Sequence, residues 1–200
     1  MTSVQLRPVG ADALLLEVDT PLDWFAALDA EREAGRLSVV DIVPGARTVL
    51  LDGVPDPAAL AARLRDWEID SAPVPQEPPI VVDVHFDGVD LPFVAAHTGL
   101  TPDAVVDVLT GTDLTVAFCG FAPGFAYLSG LPWNVPRLQT PRTRVPAGSV
   151  ALAAEFTGVY PTPSPGGWRI VGHSSAELFS VDREPPALLG PGRTVRFRAA

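Results

Sequence analysis

The chain has 200 residues, 47% hydrophobic and 19% charged, with a formal net charge of −10. This composition excludes a disordered chain, and the length suits one large domain or two small ones. The acidic balance argues against nucleic acid or an anionic membrane as the main partner.

In chain order, Val4 to Arg7 and Ala13 to Val18 read as short strands joined by a Gly-Ala-Asp turn. Thr20 with Pro21 opens a helix carrying Leu22, Trp24, Phe25 and Leu28, which ends near Gly35. Leu37 to Val43 and Arg47 to Leu51 read as strands about a Pro44-Gly45 turn, and Asp56-Pro57 opens a second helix with Leu60, Leu64 and Trp67 on one face. The order ββαββα predicts a small α+β sandwich over residues 1–72. The segment SAPVPQEPP, Ser71 to Pro79, is proline-rich and reads as a semi-rigid linker.

A second domain is expected over residues 79–200. It opens on a strand, Ile80 to Phe86, followed by two short helices, Leu91 to His97 and Pro102 to Leu109, joined through Gly99. His97 before a glycine suits a helix C-terminus better than catalysis. From Leu114 onward the β-like runs LTVAFCGF, SVALAA, GVYP, WRIVGH, ALLG and TVRFRA alternate with Pro/Gly turns, a pattern of barrels and sandwiches. No apolar run is long enough for a transmembrane helix. Asp12 and Glu17 interrupt the apolar part of the N-terminal segment, and Cys119 is the one cysteine, so a cytoplasmic protein is expected.

The chemistry concentrates between Phe118 and Ser174. Phe121, Phe125, Tyr127, Trp133, Tyr160 and Trp168 fall in or near proline- and glycine-set loops, where aromatics either wall an apolar pocket or fill a small barrel. Between Thr115 and Ser175 the sole acid is Glu155, against Arg137, Arg142, Arg144 and Arg169. Such a locally positive region suits an anionic ligand or an acidic partner surface. In PRTRVPAGS, Arg142 and Arg144 suit a bidentate clamp on a carboxylate or phosphate, with Gly148 and Ser149 supplying N–H groups and a hydroxyl. Pointed outward, the same residues are solvated surface. Every basic residue is arginine, so lysine chemistry is closed to this chain. No zinc spacing, nucleophile elbow or Walker A motif is present. Glu155 suits surface better than a general base, and Cys119 suits a buried, inert thiol. The pattern is half a site: binding groups without a catalytic set.

Five ordered motifs carry a family resemblance: GFAPGFAYLSGLP (Gly120 to Pro132), Pro136-Arg137, PRTRVPAGSVALA (Pro141 to Ala153), TGVYPTPSPGGWRIVG (Thr157 to Gly172) and LLGPGRTVRF (Leu188 to Phe197). They resemble the KipI and allophanate hydrolase subunit 1 family, also named for the B-type subunit of 5-oxoprolinase. The resemblance implies a cyclophilin-like β-barrel for the second domain. It implies a partner from the subunit 2 family, the C-type subunit of 5-oxoprolinase. It also implies a third subunit, and ATP with magnesium used by the complex and not held tightly by this chain. The implied reaction is ATP-dependent hydrolysis of 5-oxoproline to glutamate. Related pairs form the carboxyltransferase part of urea carboxylase or are named for allophanate hydrolysis, and one branch binds and inhibits a sensor histidine kinase. By the resemblance, Phe121, Pro123, Gly124, Phe125 and Tyr127 match a first site loop. Arg142, Arg144, Pro146, Gly148 and Ser149 match a second; Tyr160, Ser164, Pro165, Gly166, Gly167 and Trp168 match a third. Leu109, Leu114 and Phe156 stand where relatives usually carry a histidine, a tyrosine and a glutamine.

Overall fold

The structure, a computed structural model, describes residues 4–67, 69 and 77–200. It divides into two compact units, Met1–Gln76 and Glu77–Ala200. Most of the expected linker, residues 71–76, lies outside the described residues. Among the described residues no helix is long and apolar enough to cross a membrane.

The first unit holds β1 (Gln5–Val9), β2 (Ala13–Glu17), α1 (Pro21–Glu33), β3 (Asp41–Pro44), β4 (Thr48–Asp52) and α2 (Pro57–Leu64). The strands form one antiparallel sheet in the order β1-β2-β4-β3. Period-two burial turns Leu14 and Leu16 of β2 and Val49 and Leu51 of β4 to one face. Trp24 and Leu28 of α1 and Leu60 and Leu64 of α2 pack on that face. Proline opens both helices, and the Asp56 carboxylate accepts from the Ala59 N–H at 3.0 Å. The third strand starts at Asp41, later than the expected Leu37, because Leu37 is drawn into the core before pairing begins. A cavity of about 220 Å³ in this unit is lined by Leu28, Glu31, Arg36, Arg63, Leu64 and Trp67, none of them a candidate site residue.

The second unit opens with β5 (Ile80–Val84), α3 (Leu91–Thr98) and α4 (Pro102–Gly111). Then follow β6 (Leu114–Cys119), β7 (Ala126–Ser129), β8 (Arg142–Val145), β9 (Ser149–Ala153), β10 (Phe156–Val159), β11 (Ser164–Gly166), β12 (Arg169–His173) and β13 (Thr194–Ala199). Seven strands pair in the order β12-β9-β10-β7-β6-β13-β5, antiparallel except for β13 with β5. A bridge between His85 and His173, with reciprocal N–H···O bonds of 2.9 Å, joins the two edges into a nearly closed barrel. The expected strand at Ala187 to Gly190 is reduced to one bridge between Phe179 and Ala187. Pro185, Pro186 and Pro191 around that run remove the N–H donors a ladder needs. Strands β7, β8 and β11 lie where the sequence reads as turns; β8 and β11 form a separate two-stranded ribbon.

The barrel interior is mainly aliphatic, with the fully buried Phe197 ring among its residues. Val82, Val84, Leu114, Val116, Leu128, Val150, Leu152, Val171 and Val195 fill it, with Leu109 and Val105 of α4 packed alongside.

Candidate functional site

Strand β9 is buried along its whole length, so both of its faces are covered. Val150 and Leu152 point into the barrel, whereas Ala151 and Ala153 point outward into a second cluster with Phe125, Val145, Tyr160 and Trp168. The same alternation sorts β10: Val159 faces in, while Phe156, Gly158 and Tyr160 share the outer face. Alanine and glycine there leave room for large rings. A Cβ on Gly158 would lie 3.0 Å from the Phe125 ring.

The result is an aromatic layer on the outside of the barrel. Phe125 contacts Tyr127, Tyr160 and Trp168 edge-on at centroid distances of 5.1, 5.3 and 5.5 Å. Phe118 stacks on Tyr127 at 4.2 Å, and Phe156 meets both edge-on. Each such pair contributes about 0.5–1.5 kcal/mol beyond burial. Phe125, Tyr160 and Trp168 are buried, so these rings fill a core and do not wall an open pocket. Phe121 is different: it is 62% exposed at φ 70°, with the Ala122 N–H donating to the Gly120 carbonyl at 2.8 Å. That tight turn holds a bulky residue in a sparsely populated conformation, a strain worth a functional reading, and sets its exposed ring edge-on to Phe125 at 5.4 Å and to Tyr160 at 6.3 Å.

The three expected loops do converge here. The β8–β11 ribbon brings Arg142 opposite Gly166 and Val145 opposite Ser164. Gly166 is required because a Cβ would overlap the Tyr160 hydroxyl. Gly148 sits at φ 79°, its N–H donating to the Tyr160 carbonyl at 2.7 Å and its carbonyl accepting from Ser174 at 2.8 Å. Pro123, Pro146 and Pro165 are exposed, and Gly124 and Gly167 half-buried, around this layer. Ser149 is buried, with its carbonyl accepting from the Tyr160 N–H, so it stands in the strand ladder. The Ser164 hydroxyl is buried without a hydrogen-bond partner among the described residues.

The arginines separate into different roles. Arg144 is exposed and makes no ion pair among the described residues, and Arg137 lies 5.9 Å from the Trp168 ring centroid. Arg142 does not share a fork with Arg144. Its Nη2 donates to both carboxylate oxygens of Asp90, at 3.1 and 2.9 Å, and its Nη1 to the Trp168 carbonyl at 3.2 Å. The positive segment is thus part-neutralised by an acid 52 positions upstream, which a local charge count misses. Burial pushes the Tyr160 phenol above its ordinary range, against the opposing pull of Arg137 and Arg142.

Outside this layer, His97 places Nε2 2.9 Å from the Asn134 carbonyl, and Gly99 at φ 72° caps its helix. Glu155 is exposed at the β9–β10 turn. The Cys119 thiol is half-buried 3.3 Å from the Leu189 carbonyl, and burial raises its pKa. Leu109 and Leu114 lie fully buried in the aliphatic core, whereas Phe156 packs in the aromatic layer.

Residues 4–189 match the family described as carboxyltransferase domain, subdomain C and D, and the chain belongs to that family. Among curated relatives, the B-type subunit of 5-oxoprolinase from Escherichia coli O157:H7 is 41% identical over 203 residues, covering 94% of this chain and 93% of the relative. Among solved structures, TTHA0988 superimposes with a TM-score of 0.79 at 32% identity over 98% of this chain, which spans 41% of that protein's chain. The Kluyveromyces lactis urea carboxylase superimposes at 0.77 with 18% identity, covering 98% of this chain and 22% of that one, and establishes the fold alone.

Proposed function

We propose that this chain is the B-type subunit of a 5-oxoprolinase, a complex that opens the lactam of 5-oxoproline to glutamate with consumption of ATP. The observation that carries this reading is the 41% identity to the B-type subunit of a known 5-oxoprolinase along nearly the full length of both chains. The barrel's outer face supports it as one half of a site. It offers cations, Arg144 and Arg137, for a carboxylate and an exposed ring at Phe121. Nucleophile and base are assigned to a C-type partner, with a third subunit completing the assembly. The nucleotide is likewise assigned to the complex. ATP use fits a cytoplasmic location.

The test is to tag the chain in its own cells, purify it with the subunits that remain bound, and measure ATP hydrolysis with and without 5-oxoproline. Stimulation is the expected result. A co-purified partner with no stimulation sinks the substrate assignment, and no partner at all sinks the subunit reading.

A further inference from the structure

We infer that Asp90 is the positioning residue of this face: its buried carboxylate sets the geometry of Trp168, Arg169 and Arg142. The inference rests on the outer face being the recognition surface proposed above.

Asp90 directly precedes α3, where an aspartate ordinarily accepts from its own helix's N–H groups. Here it makes no such bond. The side chain turns instead toward β12, 80 positions away, and accepts from the Ile170 N–H at 2.7 Å, while the Asp90 N–H donates to the Ile170 carbonyl at 2.9 Å. The carboxylate thereby replaces a strand carbonyl at the barrel's seam. The same group takes Arg142 at 2.9 Å and Arg169 at 3.7 Å. Arg142 in turn donates to the Trp168 carbonyl. The Arg169 guanidinium carbon lies 3.5 Å from the Phe93 ring centroid, and its Nε donates to the Pro136 carbonyl at 3.1 Å. Three consecutive residues, Trp168 to Ile170, are therefore tied to one carboxylate, directly or through Arg142. Arg137, the cation beside Trp168, depends on the same placement.

A stability role alone is a poor account of this arrangement. Taking an acid and two guanidinium groups out of water costs free energy that their attraction barely returns, and apolar substitutes of the same volume often do as well. What such a cluster supplies is a fixed geometry for planar donors.

The first variant is Asp90→Asn, which keeps an oxygen for the Ile170 N–H and removes the charge that holds both arginines. In the full chain, the indole N–H resonance of Trp168, assigned by its loss in Trp168→Phe, is expected to shift or broaden, while those of Trp24 and Trp67 stay in place. In the purified complex, KM for 5-oxoproline is expected to rise about 10- to 100-fold with kcat within about threefold, as misplacement of a binding group predicts. Asp90→Glu, which restores the charge, is expected to recover part of that loss. An unmoved Trp168 resonance overturns the inference whatever the kinetics. So does an unchanged KM in a complex whose wild type is active. A wild-type complex inert toward 5-oxoproline sinks the functional reading alone, and the resonance still decides Asp90. If Asp90→Asn fails to fold, Arg142→Lys tests the same link: losing the planar fork must move the same resonance.

Discussion

The two faces of β9 show how one strand serves two ends. Val150 and Leu152 meet the aliphatic interior, where packing is all that is asked of them. Ala151 and Ala153, one position along, support an aromatic layer edged by arginines and polar loops. The inside is uniform and tolerant of shape so long as volume is kept. The outside combines rings, a buried ion-pair cluster and a strained turn, each with a defined direction. If the outer face is the recognition surface proposed above, a single backbone thickness separates it from the aliphatic interior, and substitutions of opposite parity should differ in their effect on activity.

Substitutions at opposite parity test this directly. Trp168→Ala is expected to cost about 3–5 kcal/mol and Leu152→Ala about 2–5 kcal/mol, read by denaturant unfolding. At matched folded fraction, only the Trp168 variant is expected to lose activity in the complex; equal losses would erase the distinction between the faces. Gly148→Ala is next, at about 1–3 kcal/mol, because φ 79° strains any Cβ and this one overlaps the Ser174 carbonyl. Its melting temperature is the readout, and an unchanged value would mean the loop can be rebuilt. Arg144→Ala is expected to leave stability within about 0.5 kcal/mol while raising KM for the anionic substrate about tenfold. A comparable fall in stability would place Arg144 in the fold instead of the rim.

The smallest effect belongs to Tyr160. Its phenol is protonated in the native state and its pKa is raised by burial. In the unfolded chain it ionises near pH 10. The native state therefore binds the proton more tightly, and stability falls as pH rises from the unfolded value through the native one. Tyr160→Phe should flatten that alkaline limb. Ultraviolet titration of the chain's two tyrosines should show Tyr160 ionising late; ionisation in the ordinary range would contradict the buried setting.

Much of the layout was legible because its signals are local. Proline at helix starts and Gly99 at a helix end act within a few residues. The ribbon of β8 and β11 was hidden because proline and glycine dominate both strands' surroundings, and its pairing depends on the barrel beneath. The loop motifs lie together in the fold, since all three meet over one aromatic layer. They did not reveal that Phe125, Tyr160 and Trp168 are packing residues, since burial depends on the outward parity of four strands. Asp90 escaped for the same reason. In sequence it is one of 24 acids and sits at a helix start, and only tertiary closure carries its side chain to Arg142 and Ile170. Leu109 and Leu114, expected from the resemblance to depart from the family's pattern, are both core residues.

The pairing of β5 bears on how the protein is made. Its ladder partner is β13, and Asp83 meets Arg198 across 115 positions in a two-bond contact at 2.6 and 2.8 Å. The sheet of the first unit, by contrast, is complete by Asp52. At the usual pace of synthesis, roughly 5–20 residues per second, β5 waits on the order of ten seconds for its neighbour. During that wait the ribosome displays an unpaired IVVDV segment, the kind of apolar strand that joins other chains edge to edge. Asp83 is its one charge. The carboxylate that later receives Arg198 first serves as a gatekeeper for the nascent chain.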